Sequence, residues 1–316
     1  MSAPVERASA LAPATVGNVG PGLDVLGMAL TGPGDRVTAE RTETPGVTIA
    51  DAGHPELPTE AQYNTAGIAA RSVLERAASK VGVRLTIEKG LPLAGGQGGS
   101  AASAVASAVA VNRLLGNPLD ANALLECALD AEGAVSGRHA DNIAPALLGG
   151  IVLVLSTDPM DVVPLPVPAA LRVVLAHPDQ RLSTAESRDA LPSYLARSAA
   201  IMQMARCAGV VAALANGDLA LLGRAVVDQI AEPARSQLLP GFMMAKMAAL
   251  QAGALGGSIS GAGPSSFYFT DSDAAAEKVA AAVRDSYGAK DIKCSVRIER
   301  VAPLGALALP QDAAHA

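Results

Sequence analysis

The chain predicts an α+β fold in two domains. Three observations point there. Its 316 residues exceed the roughly 100–200 of one ordinary domain. Segments with the two-residue period of strands are mixed with helical ones in no regular strand–helix–strand repeat. Four prolines crowd the stretch from Asp158 to Pro168, the best candidate break, so the expected domains are residues 1–166 and 167–316. Half of the residues are hydrophobic and 17% are charged, too apolar for a disordered chain. With no Trp, four Tyr and three Phe, the core must be built from Ala, Val, Leu, Ile and Met.

The elements follow in order. Asn64 to Lys80 predicts a helix, with Thr65 a candidate cap and Ile68, Leu74 and Ala77 towards one face. Val83 to Ile87 alternates apolar and polar residues, the period of a half-buried strand. A glycine-rich loop, Gly95 to Gly99, leads into an Ala/Val-rich helix from Ser100 to Leu115, which Gly116-Asn-Pro118 stops. Ala121 to Ala131 predicts another helix. Ile151 to Leu155 and Leu171 to Ala176 are apolar runs of strand length. Thr184 to Gly253 is mainly helical, interrupted near Gly217 and Pro233. Ser265 to Phe269 and Ile292 to Val301 predict strands around a helix from Ala274 to Tyr287.

Composition excludes several functions. The net charge is 24 − 30 = −6, and there is no basic run. Phosphate backbones need a basic face, and single-stranded nucleic acid needs aromatic platforms, so nucleic acid is not an expected partner. Cys127, Cys207 and Cys294 are odd in number and far apart, which argues against a disulfide framework or zinc and for a reducing compartment. With four histidines, a His/Cys metal cluster is hard to assemble. The N-terminus carries Glu6 and Arg7 and no apolar signal region. Gly90 to Asn112 is uncharged and long enough for a membrane span, but Pro92, Gln97, clustered glycines and serines argue against one. The expected location is the cytoplasm, with no membrane partner and a homodimer as the expected assembly.

The strongest motif is Pro92-Leu-Ala-Gly-Gly-Gln-Gly-Gly-Ser-Ala-Ala-Ser103. Glycines let backbone amides approach a ligand and turn sharply. The helix that follows turns its unpaired N–H groups and partial positive charge towards the loop. Together these make an anion site, typically for phosphate, and Ser100 adds a hydroxyl for phosphate or metal. The alternative is a flexible loop ahead of a buried helix. No Lys follows the last glycine, so this is not GxxxxGK[ST], and it is not GxGxxG either. Two more glycine-rich segments exist, Pro13-Ala-Thr-Val-Gly-Asn-Val-Gly-Pro-Gly-Leu-Asp24 and Gly256-Gly-Ser-Ile-Ser-Gly-Ala-Gly-Pro-Ser-Ser266. Each alone reads as a turn.

Together and in this order, the three glycine segments resemble the GHMP kinase family. Within it the chain is most similar to the homoserine kinase branch. Further matches are Pro13 to Gly27, Ser136 to Gly150, Ser183-Thr-Ala-Glu-Ser-Arg188 and Glu232-Pro-Ala-Arg-Ser-Gln-Leu-Leu-Pro240. The resemblance spans nearly the whole chain. It implies a ribosomal protein S5 domain 2-like N-terminal domain and a ferredoxin-like C-terminal one. The implied reaction is transfer of the γ-phosphoryl group of ATP, with Mg²⁺, to the side-chain hydroxyl of L-homoserine, a step of threonine biosynthesis. The family's phosphate loop usually has Leu and Ser where this chain has Gln97 and Gly99, and Val16-Gly17 replaces its usual Ser-Ala.

The resemblance also assigns residues. Asn18, Asp24 and Asn142 are the implied catalytic group. Asn18, Asp24, His139, Thr184, Arg188, Arg235 and Gly261 are the implied substrate contacts. ATP falls to Asn64, Pro92, Gly95, Gly96, Gln97, Gly98, Gly99, Ser100, Ala101 and Ala102, and the metal to Ser100 and Glu132, hard oxygen donors that suit Mg²⁺. Ordinary readings stand beside these. Asp24 and Asn18 serve equally as turn residues, Asn64 and Thr184 as helix caps, His139 as a buried structural histidine and Glu132 as a solvated helix-end residue. The arginines serve as surface ion pairs, although a planar, permanently charged guanidinium suits a substrate carboxylate. Alternatives are a mevalonate-pathway member of the family, disfavoured because no Lys precedes Lys80, or a non-catalytic ligand-binding regulator on the same fold.

Overall fold

The computed structural model describes residues 3–135 and 137–309. Ser136, the first residue of one matching segment, lies outside them. Seven strands form the first sheet: β1 (Arg7–Gly17), β2 (Leu26–Thr42), β3 (Gly46–Asp51), β4 (Gly82–Glu88), β5 (Ile151–Thr157), β6 (Met160–Leu165) and β11 (Leu307–Ala308). Their order is β11-β1-β2-β4-β3, with β5 on β2 and β6 on β5. All pairs are antiparallel except β3–β4. Helices α1 (Thr65–Arg76), α2 (Gly99–Leu114), α3 (Ala121–Gly133) and α4 (Ile143–Leu148) accompany it.

The remaining strands, β7 (Arg172–Pro178), β8 (Gly256–Ile259), β9 (Ser266–Thr270) and β10 (Cys294–Glu299), form a second sheet ordered β10-β7-β9-β8. All its pairs are antiparallel. Helices α5 (Thr184–Asp189), α6 (Arg197–Asn216), α7 (Leu219–Ala225), α8 (Ala231–Arg235), α9 (Phe242–Gln251) and α10 (Asp273–Gly288) complete this part. The short β11 returns to pair with β1, so the chain's last described strand joins the first sheet.

Alanine sets how closely the first layers pack. On β1, Ala8, Ala10, Ala12 and Ala14 are buried, and they share one core with Ala101, Ala102, Ala104, Ala106 and Ala108 of α2. Side chains this small let a helix lie close on a sheet, and close packing recovers the dispersion energy that larger residues would supply. The uncharged stretch from Gly90 is therefore a loop followed by a buried helix, not a membrane span.

Several expectations change at the level of single elements. The cap of α1 is Asn64, whose Oδ1 accepts from Ala66 N at 3.0 Å; Thr65 is the first helical residue. The proline-rich stretch is itself an edge strand, β6. Proline is tolerated there because an edge strand leaves backbone donors unpaired. The first three strands are not among the expected elements, although Arg36 to Glu40 of β2 alternates polar and apolar residues, and Gly256-Gly-Ser-Ile259, which reads as a turn, is the fully buried β8.

Candidate active site

A cleft of about 390 Å³ opens among the loops and helix starts that flank the first sheet and the β8–β9 turn. Its walls include the N-terminal loop after β1, the glycine loop before α2, the turn around His139 and the start of α5. Arg235 and the Gly261–Gly263 turn close it.

The glycine loop is held in shape from below. Gly96 and Gly98 take left-handed backbone angles, φ 68° and 67°, and Gly98 caps α2 with no side-chain bond. The carbonyl of Gly95 accepts from Ser265 Oγ (2.5 Å), and that of Gly96 from Ser260 Oγ (2.6 Å). Gly98, Gly99 and Ser100 at the start of α2 line the cleft, and the first-turn amides of a helix have no partner within it, an arrangement that attracts anions.

A buried ion pair lies under this turn. Lys89 pairs with Asp35, and both are buried. Asp35 also accepts from the amides of Gly90 (3.1 Å) and Leu91 (3.2 Å) and from Ser103 Oγ (2.7 Å). Lys89 donates to the Gly99 carbonyl and to Ser103, each at 3.0 Å. The pair is fully hydrogen-bonded, the condition under which buried charges persist. Sequence reading missed it because Lys89 closes an ordinary-looking strand and its partner is 54 residues away.

Glu132, expected from the resemblance to help hold a metal, is buried, not solvated, and Ser100 Oγ donates to its Oε2 at 3.1 Å. A hydroxyl and a carboxylate facing one cleft are hard oxygen donors, the set Mg²⁺ takes while keeping its remaining positions for water and phosphate.

His139 stands between Glu132 and Asp141. Its Nδ1 lies 3.1 Å from Asp141 Oδ1 and its Nε2 3.9 Å from Glu132 Oε1. Burial works against its charged form, but the hydrogen bond and charge of Asp141, with Glu132 beyond, hold its pKa above the ordinary histidine value. Asp24, His139 and Asp141 also lie close enough to form a cation-binding group, which reading the histidines and cysteines alone did not anticipate. Asp24 is, however, already paired in two contacts, 2.9 and 3.3 Å, with Arg188.

Asn18, at φ 70°, is the hub of the N-terminal loop. Its amide donates to Asp141 (2.9 Å), its Nδ2 to the Gly261 carbonyl (3.0 Å), and its Oδ1 accepts from Asp24 N (3.2 Å). Asn142 accepts from Thr15 Oγ1 at 2.8 Å. A Cβ at position 17 would lie 2.5 Å from both Asp141 Oδ2 and Asn142 Nδ2. Gly17, a departure from the family pattern, is therefore the residue that this close approach accommodates.

Arg235 is 3% exposed. Its Nε donates to the Ser187 carbonyl (3.1 Å) and its Nη1 to that of Gly261 (2.9 Å). Among the described residues no carboxylate pairs with it within 4.0 Å. Burial, then the charge of Arg188, depress its pKa. Asp228 positions its helix: its carboxylate accepts from the amides of Ile230 (2.8 Å), Ala231 (3.2 Å) and Glu232 (2.7 Å), and Gln203 of α6 backs it at 2.9 Å.

The remaining assignments divide. Pro92, Gly99 and Thr184 line the cleft, but the α5 cap is Ser183, through a capping box with Glu186, and not Thr184. Asn64 lines the cleft while both ends of its amide are used within the protein, Nδ2 reaching the Pro58 carbonyl at 2.9 Å. Gln97, Ala101 and Ala102 do not line it. The alanines face the core, and the Gln97 side chain runs to the second sheet.

Comparison with known proteins agrees with this architecture. The GHMP kinases N terminal domain matches residues 64–150 and the GHMP kinases C terminal domain residues 210–289. A homoserine kinase of Chloroherpeton thalassium is 42% identical over 298 residues, covering 90% of this chain and 93% of the relative. One from Xylella fastidiosa is 44% identical over 287 residues, covering 90% and 88%. The crystal structure of homoserine kinase from Cytophaga hutchinsonii superposes with a TM-score of 0.93 at 42% identity, covering 98% of this chain and 99% of that one. With relatives this similar over nearly the full length of both partners, the chain belongs to the GHMP kinase family.

Proposed function

We propose that the chain is an ATP-dependent kinase that phosphorylates the side-chain hydroxyl of L-homoserine to O-phospho-L-homoserine, a step of threonine biosynthesis. The observation that carries this reading is Arg235, a buried guanidinium aimed at a cleft and given no carboxylate. A buried cation held by two backbone carbonyls and no paired carboxylate is costly. Its natural complement is an anionic group on the ligand, and a carboxylate fits the guanidinium fork. Asp24 and Asp141 lie near enough to receive an ammonium. The pattern of charges is that of an α-amino acid.

ATP belongs at the glycine loop, its phosphates on the first-turn amides of α2. Residues 1–166 are the ATP-binding domain in this reading and 167–316 the other. Ser100 and Glu132 would hold Mg²⁺, which supplies charge neutralisation for the phosphates. The oxygen of the substrate hydroxyl attacks the γ-phosphorus in line, the bond from that phosphorus to the β,γ-bridging oxygen breaks as ADP leaves, and the hydroxyl proton passes to the transferred phosphoryl group and then to water. Asn18, Asp24 and Asn142 hold the acceptor, and the amides of the loop stabilise charge on the phosphoryl oxygens. A loose transition state demands positioning and charge balance more than a base.

The test is ADP release from purified protein with MgATP and a panel of acceptors. Turnover with L-homoserine far above mevalonate or galactose is expected, because only an amino acid satisfies both the arginines and the carboxylates. Equal activity with mevalonate would overturn the assignment. For the metal, Glu132→Gln and Ser100→Ala each lower kcat and raise the magnesium concentration needed for half-maximal rate, since an anionic ligand or a hydroxyl is lost. A magnesium titration of Glu132→Gln that overlays the native curve removes Glu132 from the site.

The enzyme is assigned to the cytoplasm, where its nucleotide is made, and to a homodimer. The uncharged, exposed side of α6, with Ile201 and Met204, is the face we assign to the second copy. This helix is long and apolar enough to cross a membrane. It packs instead on α7 and commits Gln203 to the buried Asp228. Ile201→Asp is expected to turn a sedimenting dimer into a monomer.

A further inference from the structure

The departure at position 97 puts a buried amide where an apolar side chain would serve for packing alone. Gln97 is 3% exposed, and every one of its polar contacts leads out of the glycine loop. Its carbonyl accepts from the amide of Thr15 on β1 (3.1 Å). Its Nε2 donates to Ser265 Oγ (3.2 Å), and its Oε1 accepts from Arg297 Nη2 on β10 (2.9 Å). The two contacts extend further. Ser265 holds the Gly95 carbonyl. Arg297 is anchored by Glu299 at 3.4 Å, and Glu299 accepts from Thr31 Oγ1 of β2 at 2.6 Å.

We infer that Gln97 is a positioning residue for nucleotide binding, fixing the glycine loop to the second sheet so that the tightness of ATP binding depends on Arg297, a residue that does not line the cleft. The inference rests on the kinase reading above. Gln97 sits between Gly96 and Gly98, two residues whose left-handed backbone has no side chain to hold it. Glycine flanks leave the loop many conformations, and only one presents its amides to a phosphate. A side chain bonded at both ends to the opposite sheet removes that freedom before the ligand arrives, which is preorganisation in the usual sense. Ser260 and Ser265 brace the neighbouring carbonyls from the same side, so the loop is clamped along its length by the second sheet. The buried polar groups also constrain each other. Removing Gln97 leaves Arg297 Nη2 without this acceptor, with Glu299 still paired to its Nε, and removing Arg297 leaves an amide oxygen without its donor.

The experiment compares native protein with Gln97→Leu, Arg297→Met and the double variant. ATP Kd is read by calorimetry, and steady-state KM and kcat with MgATP and L-homoserine. Each single substitution is expected to raise ATP Kd and KM roughly tenfold, the loss of one buried hydrogen-bonded contact. KM for homoserine and kcat stay within about twofold. The double variant is expected to be no weaker than the worse single one, because the two residues act as a unit. A purely structural role lowers the melting temperature and leaves ATP affinity alone, so unchanged ATP affinity in folded single variants overturns the inference. Full additivity in the double variant overturns it as well, since it uncouples Arg297 from Gln97. Both results leave the kinase assignment standing if native protein turns over homoserine. Native protein that binds no ATP defeats the assignment and the inference together.

Discussion

Gly98→Val is expected to weaken ATP binding by about two to four orders of magnitude. The estimate takes two amide–phosphate contacts, at about 1.5–3 kcal/mol each for hydrogen bonds to a charged group and about 1.4 kcal/mol per tenfold. Two physical effects combine at this position. Gly98 sits at φ 67°, and a β-branched residue there is strained by about 1–3 kcal/mol. A Cβ would also lie 1.9 Å from Thr15 Oγ1, the hydroxyl that Asn142 receives at 2.8 Å. The substitution must move either the loop or the Thr15–Asn142 pair, and both belong to the site. Calorimetric titration with ATP, alongside a thermal melt, separates the outcomes. A folded Gly98→Val protein with native affinity takes the loop out of the nucleotide site. Gly98→Ala with Thr15→Ala relieves the clash and keeps the backbone strain, so it is expected to recover part of the affinity lost by Gly98→Ala alone. No recovery assigns the whole loss to the strained backbone.

Position 98 also shows why much of the site was legible in sequence. Glycine at a left-handed position and a helix starting at once are local facts, readable within a dozen residues. The same holds for the helices expected at Asn64 to Lys80 and Ala121 to Ala131 and for β7, β9 and β10 of the second sheet, each with a period or stop signal of its own. What stayed hidden depends on distance along the chain. Lys89 and Asp35 carry no sign that they pair. Gln97 reads as one more loop residue until Arg297 is seen against it. Glu132 reads as solvated because a helix end is the usual place for a carboxylate, and only the fold buries it beneath Ser100. The capping box at Ser183 was within reach, since Ser183 and Glu186 have its spacing. β2 stayed hidden because Gly32-Pro-Gly34 in its middle imitates a turn, although the strand runs through it.

Arg235→Leu tests the substrate assignment most sharply, because its effects on stability and on kinetics are expected to part. In the free protein the substitution removes a buried cation that, among the described residues, pairs directly with no carboxylate, so the cost of burying its charge is relieved. Against that, the Ser187 carbonyl loses its donor, at about 1–3 kcal/mol if it stays unsatisfied. The Gly261 carbonyl keeps the bond from Asn18 Nδ2. These terms are of similar size and opposite sign, so the melting temperature is expected to move little. Kinetics are expected to fall. Loss of a charge-assisted bond to the substrate carboxylate, about 1.5–3 kcal/mol, is roughly 10- to 150-fold in kcat/KM for homoserine. The KM for ATP stays put. Arg188 behaves differently at rest, since it is already paired with Asp24. An amino acid can replace that pair by offering its carboxylate to Arg188 and its ammonium to Asp24, whereas an acceptor without the ammonium leaves Asp24 unpaired. Arg235→Leu and Arg188→Leu should therefore both narrow the preference for homoserine over an acceptor that lacks the carboxylate. Together they should cost less than their sum if both grip one group. Unchanged homoserine KM and kcat in both single variants would return the arginines to a structural role and withdraw the substrate assignment from them.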